Sequence, residues 1–297
     1  MDVVLLHAGP AYCERALRAA FARRGHRARL VHIATVDQRR LGEIARADLV
    51  MNRVYASTAA RRFDWLRRAI DVSAELAERG APLCNSHSAT LAEYSKLAAY
   101  ERLVAAEVPT PATALVTSVD DVDVALAVTG LPAVIKRDTT GRGRDLSLVD
   151  SREEAVVEVR RRFASGRPYY RQGGHLVLQR LVVATVDHDV RLGLLDYQPF
   201  VCYGRSYVPG RGGGRPWIGS VAQGSAEVPH DAGPQELQVA WQATAAVGAR
   251  LNEVDLCLTA GGPVVIENNP IPAYGPGGEG IIDGLVAALV EPSEALM

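Results

Sequence analysis

Lysine is almost absent from this 297-residue chain: Lys96 and Lys136 stand alone against thirty-one arginines. Cysteine is scarce too, and Cys13, Cys84, Cys202 and Cys257 show neither a C-x-x-C pair nor zinc-like spacing. A disulfide framework and a zinc module are thereby excluded, and reduced, structural thiols are expected. No apolar run is long enough to span a bilayer. The opening residues, Met1-Asp2-Val3-Val4-Leu5-Leu6-His7, lack a basic segment and a small-residue cleavage site, so a cytoplasmic protein is expected. Net charge is −1, from 33 basic and 34 acidic residues, which offers no bulk attraction to nucleic acid or anionic membrane. Neither G-x-x-x-x-G-K-[ST] nor G-x-G-x-x-G occurs, so two common nucleotide loops are also missing. Internal repeats and low-complexity tracts are absent.

What is present reads as alternating elements. Val3–Leu6, Ala28–Ile33, Leu49–Met51 and Pro82–Asn85 have strand character, separated by helices near Cys13–Arg24 and Phe63–Arg79. Strand–helix alternation predicts a parallel sheet. Thr90-Leu91-Ala92-Glu93 has capping-box spacing, predicting one helix to about Glu107. Pro109 and Pro111 break the chain. Strands are expected at 115–117, 132–136 and 176–179, with helices capped by Ser118 and Ser151 between them. The remainder is mainly β-rich, with a last helix at 236–251 ahead of two apolar strands. The fold class is α/β, α+β in parts, with segments at 1–92, 93–178 and 179–297.

The strongest chemical pattern is C-terminal. Asp255 lies on one apolar strand and Glu267 and Asn269 at the end of the next, with Gly261-Gly262 turning between them. A tight hairpin sets Asp255 opposite Glu267, and residues two apart on an extended chain share a face. Two acids and an amide supply the oxygen ligands magnesium takes alongside substrate phosphates. A solvated hairpin face is the alternative. After Lys136 comes a glycine-rich run, Thr139-Thr140-Gly141-Arg142-Gly143-Arg144, whose backbone N–H groups could cradle an anion or simply turn the chain. The two retained lysines suit phosphate oxygens, unless they are chance survivors on the surface. Asp189 and Arg191 share a strand face, and Arg211 follows on a glycine-rich segment. Such arginines clamp phosphate or carboxylate, though any one of thirty-one is more often a surface charge. Arg160-Arg161-Arg162 reads as a solvated helix face.

Taken in order, these pieces resemble the ATP-grasp superfamily, most closely its RimK-like amino-acid and peptide ligases. The matching residues are Asp48–Arg53, Asn85, Ser95-Lys96-Leu97, Val108–Thr113, Leu131–Lys136 with its glycine loop, Leu178–Val182 and Asp189-Val190-Arg191. Trp217–Gly224, Val254-Asp255-Leu256 and Ile266-Glu267-Asn268-Asn269-Pro270 complete the series. The resemblance implies a three-part architecture, in which an N-terminal parallel α/β domain precedes two α+β lobes clasping ATP. It casts Lys96, Lys136, Gly141 and Gly143 as nucleotide-phosphate contacts. Gln179, Arg180, Leu181 and Val182 become the adenine hinge, with Asp189 a ribose or metal-side contact. Asp255, Glu267 and Asn269 would hold magnesium or manganese, and Arg191 with Arg211 would face the phosphoryl and acyl groups, Arg205 being the alternative to Arg211. Arg53, Tyr55 and Trp217 are candidates for the acceptor side. The implied activity joins a small-molecule carboxylate to an amine through an acyl phosphate, with no nucleic-acid or membrane partner, and the resemblance also allows a homo-oligomer. Departures are Arg180 where the family often has an acid, a flap reading Gly-Arg-Gly-Arg, and Pro270 one position early. Ring closure, phosphorylation of a small molecule and a non-catalytic nucleotide-binding module remain as other readings.

Overall fold

Short apolar runs separated by amphipathic helices open the chain, and the computed structural model pairs those runs in parallel; it describes residues 1–141, 145–210, 214 and 216–291. Strands β1 (Asp2–His7), β2 (Arg27–His32), β3 (Leu49–Arg53) and β4 (Leu83–Cys84) lie in the order β2-β1-β3-β4. Helices α1 (Tyr12–Arg23), α2 (Gln38–Ile44) and α3 (Phe63–Glu78) connect them. Alternation along each strand divides the apolar residues between two layers. Val4, Leu6 and Val50 face α2 and α3 through Leu41, Leu66 and Val72, while Val3, Leu5 and Met51 face Leu17 and Phe21 of α1.

The helix expected from Thr90 to Glu107 is two helices, α4 (His87–Tyr94) and α5 (Lys96–Ala105). Ser86 Oγ caps the first by accepting from Ala89 N–H, and Thr90 merely donates back to Ser86 O. The break falls at Ser95, whose backbone is extended (φ −139°, ψ 116°) and whose Oγ caps α5 at Ala98 N–H. Asp138 holds the break by accepting from Ser95 Oγ and Leu97 N–H, at 3.2 and 3.0 Å. A carboxylate forty residues away is invisible to local spacing.

The second sheet is antiparallel, ordered β5-β8-β6-β7, from β5 (Thr113–Val116), β6 (Ala133–Arg137), β7 (Ser147–Val149) and β8 (Leu176–Arg180). Helices α6 (Val122–Thr129) and α7 (Arg152–Phe163) cover one face through Val122, Ala125, Ala155 and Val159, and a single turn, α8 (Pro168–Arg171), precedes β8.

The third sheet takes β9 (His188–Leu195) and β10 (Gln198–Ser206). A ribbon of β11 (Val208–Pro209) and β12 (Pro216–Ile218) follows, then β13 (Glu227–Val228), β14 (Leu251–Thr259) and β15 (Gly262–Asn269). Its order is β13-β10-β9-β14-β15, all antiparallel. Helix α9 (Pro234–Val247) packs on it, ending four residues earlier than expected because Gly248 adopts a left-handed conformation at φ 71°. It is not the last helix either. The unanticipated α10 (Glu279–Val290) returns to the first sheet, where Ile282, Leu285 and Val286 pack with Leu17 and Phe21. The observed class is the mixed α/β architecture expected. Among the described residues no helix is long and apolar enough to cross a membrane.

Candidate active site

Period-2 alternation builds one wall of a cleft of about 650 Å³. Val190, Leu192, Leu194, Val254, Leu256 and Val265 turn inward to α9 and to Leu103 of α5. The residues between them, Asp189, Arg191, Glu253 and Asp255, therefore turn outward into the cleft. Cross-strand register aligns them: Tyr203, Arg191, Asp255 and Glu267 stand opposite one another across β10, β9, β14 and β15. One rung away Glu253 faces Asn269, and Arg205 faces Asp189. A bulge between Asp255 and Leu256 precedes this rung without disturbing the Asp255–Glu267 pairing. Asn268 points the other way, accepting from Asn252 Nδ2 at 2.8 Å, so Asn269 is the amide on the cleft side.

The opposite wall comes from the second sheet, where Val134, Lys136 and Gln179 are the cleft-facing residues. Lys136 is 8% exposed and donates to Gln179 Oε1 at 2.6 Å, and Gln179 Nε2 donates to Thr113 Oγ1 at 3.0 Å. Lys96, the first residue of α5, reaches across to Glu267 Oε1 at 2.8 Å and to Thr140 O at 2.8 Å. The rare lysines thus meet in one cleft, each beside a sheet wall.

Charge inside the cleft is tightly paired. Arg191 grips Asp255 bidentately at 2.8 and 2.9 Å and reaches Glu253 Oε2 at 3.2 Å with its remaining nitrogen. Arg205 holds Asp189 bidentately at 2.9 and 2.6 Å and touches Asp255 Oδ2 at 3.0 Å. Burial alone would raise the Asp255 carboxyl, but Arg191 and then Arg205 outweigh it and hold the group below the usual carboxylate range. Burial likewise opposes ionisation of Glu267, and Lys96 and Lys136 keep it below the usual range. Burial pushes Lys136 down to about 8 and Glu93, which accepts from Ala56 and Ile271 N–H, up to about 7. Gly219 passes so close to Asp189 that a Cβ there would lie 2.2 Å from Oδ2, which fixes glycine at that point.

Of the residues singled out by sequence, Lys96, Lys136, Gly141, Gln179, Arg180, Leu181, Val182, Asp189, Arg191, Asp255, Glu267 and Asn269 all line this cleft. Gly143 and Arg211 lie outside the described residues. The alternative arginine, Arg205, is in the cleft, buried between two carboxylates. Tyr55 and Trp217 line it as well, whereas Arg53 is buried behind Tyr55, donating to its hydroxyl at 2.8 Å and to Pro272 O. Sequence reading missed Glu253, Glu93 and Tyr203. Glu253 was findable, standing two residues before Asp255 on the same strand.

The donor set suits magnesium on chemical grounds. Asp255 and Glu267 in register, with Asn269 beside them, offer hard oxygen donors from two strands. Among the described residues no three His, Cys, Asp or Glu side chains form a self-sufficient metal cage.

This three-sheet arrangement with a charged cleft is the ATP-grasp fold. Its likeness extends over nearly the whole chain to a RimK-domain ATP-grasp protein from Sphaerobacter thermophilus (TM-score 0.68, 22% identity, 97% of this chain and 98% of that one). It extends likewise to the D-cycloserine synthetase DcsG (TM-score 0.71, 19% identity, 98% and 100%). In sequence, the chain is 26% identical over 166 residues to a probable alpha-L-glutamate ligase of Legionella pneumophila, covering 56% of this chain. It spans about half the length of the curated relatives it matches, 51%. No protein-family model matches.

Proposed function

We infer that the protein is an ATP- and magnesium-dependent ligase that activates a small carboxylate as an acyl phosphate and joins it to an amine. The observation carrying this reading is the convergence of Lys96, Lys136, Arg191 and Arg205 on the cleft that holds the Asp255–Glu267 rung. An ionised carboxylate cannot react with an amine, because oxide is not a feasible leaving group; phosphorylation gives it one. Phosphoryl transfer asks a protein mainly for positioning and neutralisation of charge. Asp255, Glu267 and Asn269 would hold the magnesium, which supplies Lewis-acid neutralisation of phosphate oxygens. Lys96 and Lys136 set two positive charges on opposite walls. Leu181 N–H is taken by Pro132 O, while Val182 N–H has no partner among the described residues, leaving it for the edge of a base. Arg191 and Arg205, which line the same cleft, would face the charge that develops on the acyl group. The names of the relatives, a glutamate ligase and an ATP-grasp protein among them, support the same reading.

The test is ADP release with magnesium and ATP, screened over free amino acids and dipeptides singly and in pairs. ADP release with one particular pair, and a product lighter by one water than the two together, is the expected result. Release with one compound alone would replace the ligase by ring closure or phosphorylation, which product mass separates.

Lys136 gives the site a pH signature. Its ammonium is held at about 8 by burial, and bound phosphates would favour the charged form. Nucleotide binding should therefore take up protons above pH 8, with affinity falling by up to about tenfold per unit as pH rises further. Calorimetry at pH 8.5 in two buffers of different ionisation enthalpy reads this uptake. Its absence would remove Lys136 from the phosphates.

A further inference from the structure

Glu253 has no part in holding nucleotide or magnesium in the reading above, yet it is a carboxylate 3% exposed on the cleft wall. Its one ion-pair partner among the described residues is Arg191, which already serves Asp255 through two other bonds. Asp255 is bonded by both Arg191 and Arg205, and Asp189 by Arg205, so Glu253 holds only the third nitrogen of Arg191, at 3.2 Å. A carboxylate this buried, sharing its one bonded cation, is the least compensated acid of this wall, and burial without full pairing is costly.

Position says which ligand meets it. Strand β14 runs from Glu253 towards Leu258, whose carbonyl accepts from Thr185 N–H at 2.8 Å just behind the 179–182 hinge. Glu253 is therefore at the end of the strand remote from the hinge, beside Asn269 and the following loop. There the cleft is closed by Ile271, Pro272 and Ala273 and by Tyr55, Ala56 and Ser57. A ligand reaching Glu253 lies past the phosphates, where the acyl donor must sit.

We propose that Glu253 and Arg191 form a paired recognition element for a zwitterion: Arg191 receives the carboxylate to be activated and Glu253 the ammonium on the adjacent carbon. The spacing fits. Arg191 Nη1 and Glu253 Oε2 are 3.2 Å apart, and standard bond lengths place an α-nitrogen about 2.5 Å from its carboxyl carbon. The donor is then a free α-amino acid, and carboxylates with an acylated or missing α-amine are rejected, because they leave Glu253 unpaired. This rests on the ligase reading, whose failure the experiment separates from its own.

Hydroxylamine in place of the amine substrate isolates the donor step. The γ-phosphoryl passes to a carboxylate oxygen as ADP leaves, and the nitrogen of hydroxylamine then displaces phosphate to give a hydroxamate. The panel is the common amino acids in L and D forms, each beside its N-acetyl and its deaminated derivative. Expected are hydroxamates from one or more free amino acids and none from the matched derivatives. Glu253→Gln should raise the donor KM about ten- to a hundredfold, as for loss of a charged hydrogen bond, with the KM for ATP unchanged as the sign of intact folding. Equal activation of N-acetyl or deaminated donors would overturn the proposal. So would a Glu253→Gln enzyme with an unmoved donor KM, or one in which only the KM of an amine acceptor rises. Hydroxamate formation in those cases leaves the ligase reading standing. Silence of the whole panel, with ADP release absent too, takes down both.

Discussion

Glu267→Gln is expected to lower ATP turnover at least a hundredfold while leaving the protein folded. The substitution keeps shape and removes one negative charge from the Asp255–Glu267 rung, the only rung of the hairpin with a carboxylate from each strand. Losing charge stabilisation aimed at a transition state costs on the order of 10² to 10³ in rate. Stability should scarcely move. The amide keeps an oxygen that can accept from Lys96, and Lys96 retains Thr140 O, so neither side chain of this largely buried pair is left without a partner. The checks are ADP release under saturating ATP and magnesium, and the thermal midpoint by circular dichroism. Turnover near the parent value would sink the assignment of Glu267 to the metal.

Arg205→Met is expected to behave oppositely, losing stability as well as activity. Asp189 and Asp255 are 9% and 6% exposed as side chains, and Arg205 bonds both. With Arg205 gone, Arg191 still holds Asp255, but Asp189, whose carboxyl burial already pushes up, is left buried with no bonded cation. Removing one partner of a buried pair costs about 3–5 kcal/mol, or roughly 5–8 °C in thermal midpoint for a chain of this size. Adding Asp189→Asn to the variant should recover most of that loss by discharging the orphaned carboxylate, without restoring turnover. If the single variant melts within about 2 °C of the parent, the paired-charge account of this wall is wrong.

These two residues mark the boundary of what sequence could show. Glu267 was legible because its neighbours state its position twice, through the glycine turn to Asp255 and the two-residue step to Asn269. Arg205 was legible only as one of a loose pair with Arg211. Its claim depends on Asp189 across β9–β10, and register between those strands is set by packing rather than by a short turn motif. Glu93 was misplaced for a related reason. It has capping-box spacing from Thr90, but Ser86 does the capping and frees Glu93 for Ala56 and Ile271 N–H in the cleft wall. Local rules succeeded where one hairpin contains the answer and failed where separate units meet. Helix α10 failed likewise: its apolar face matches α1, more than 250 residues earlier, and no window along the chain spans both.

The strict alternation on β9 and β14 also makes the protein its own proofreader. Slipping β14 by one residue would turn Val254 and Leu256 into the cleft and drive Glu253 and Asp255 against α9. Such a molecule would lose its hydrophobic layer and bury two carboxylates in the same stroke. A misassembled site therefore has no well-packed body to live in, and a sample that melts cooperatively should contain essentially no folded but misregistered copies.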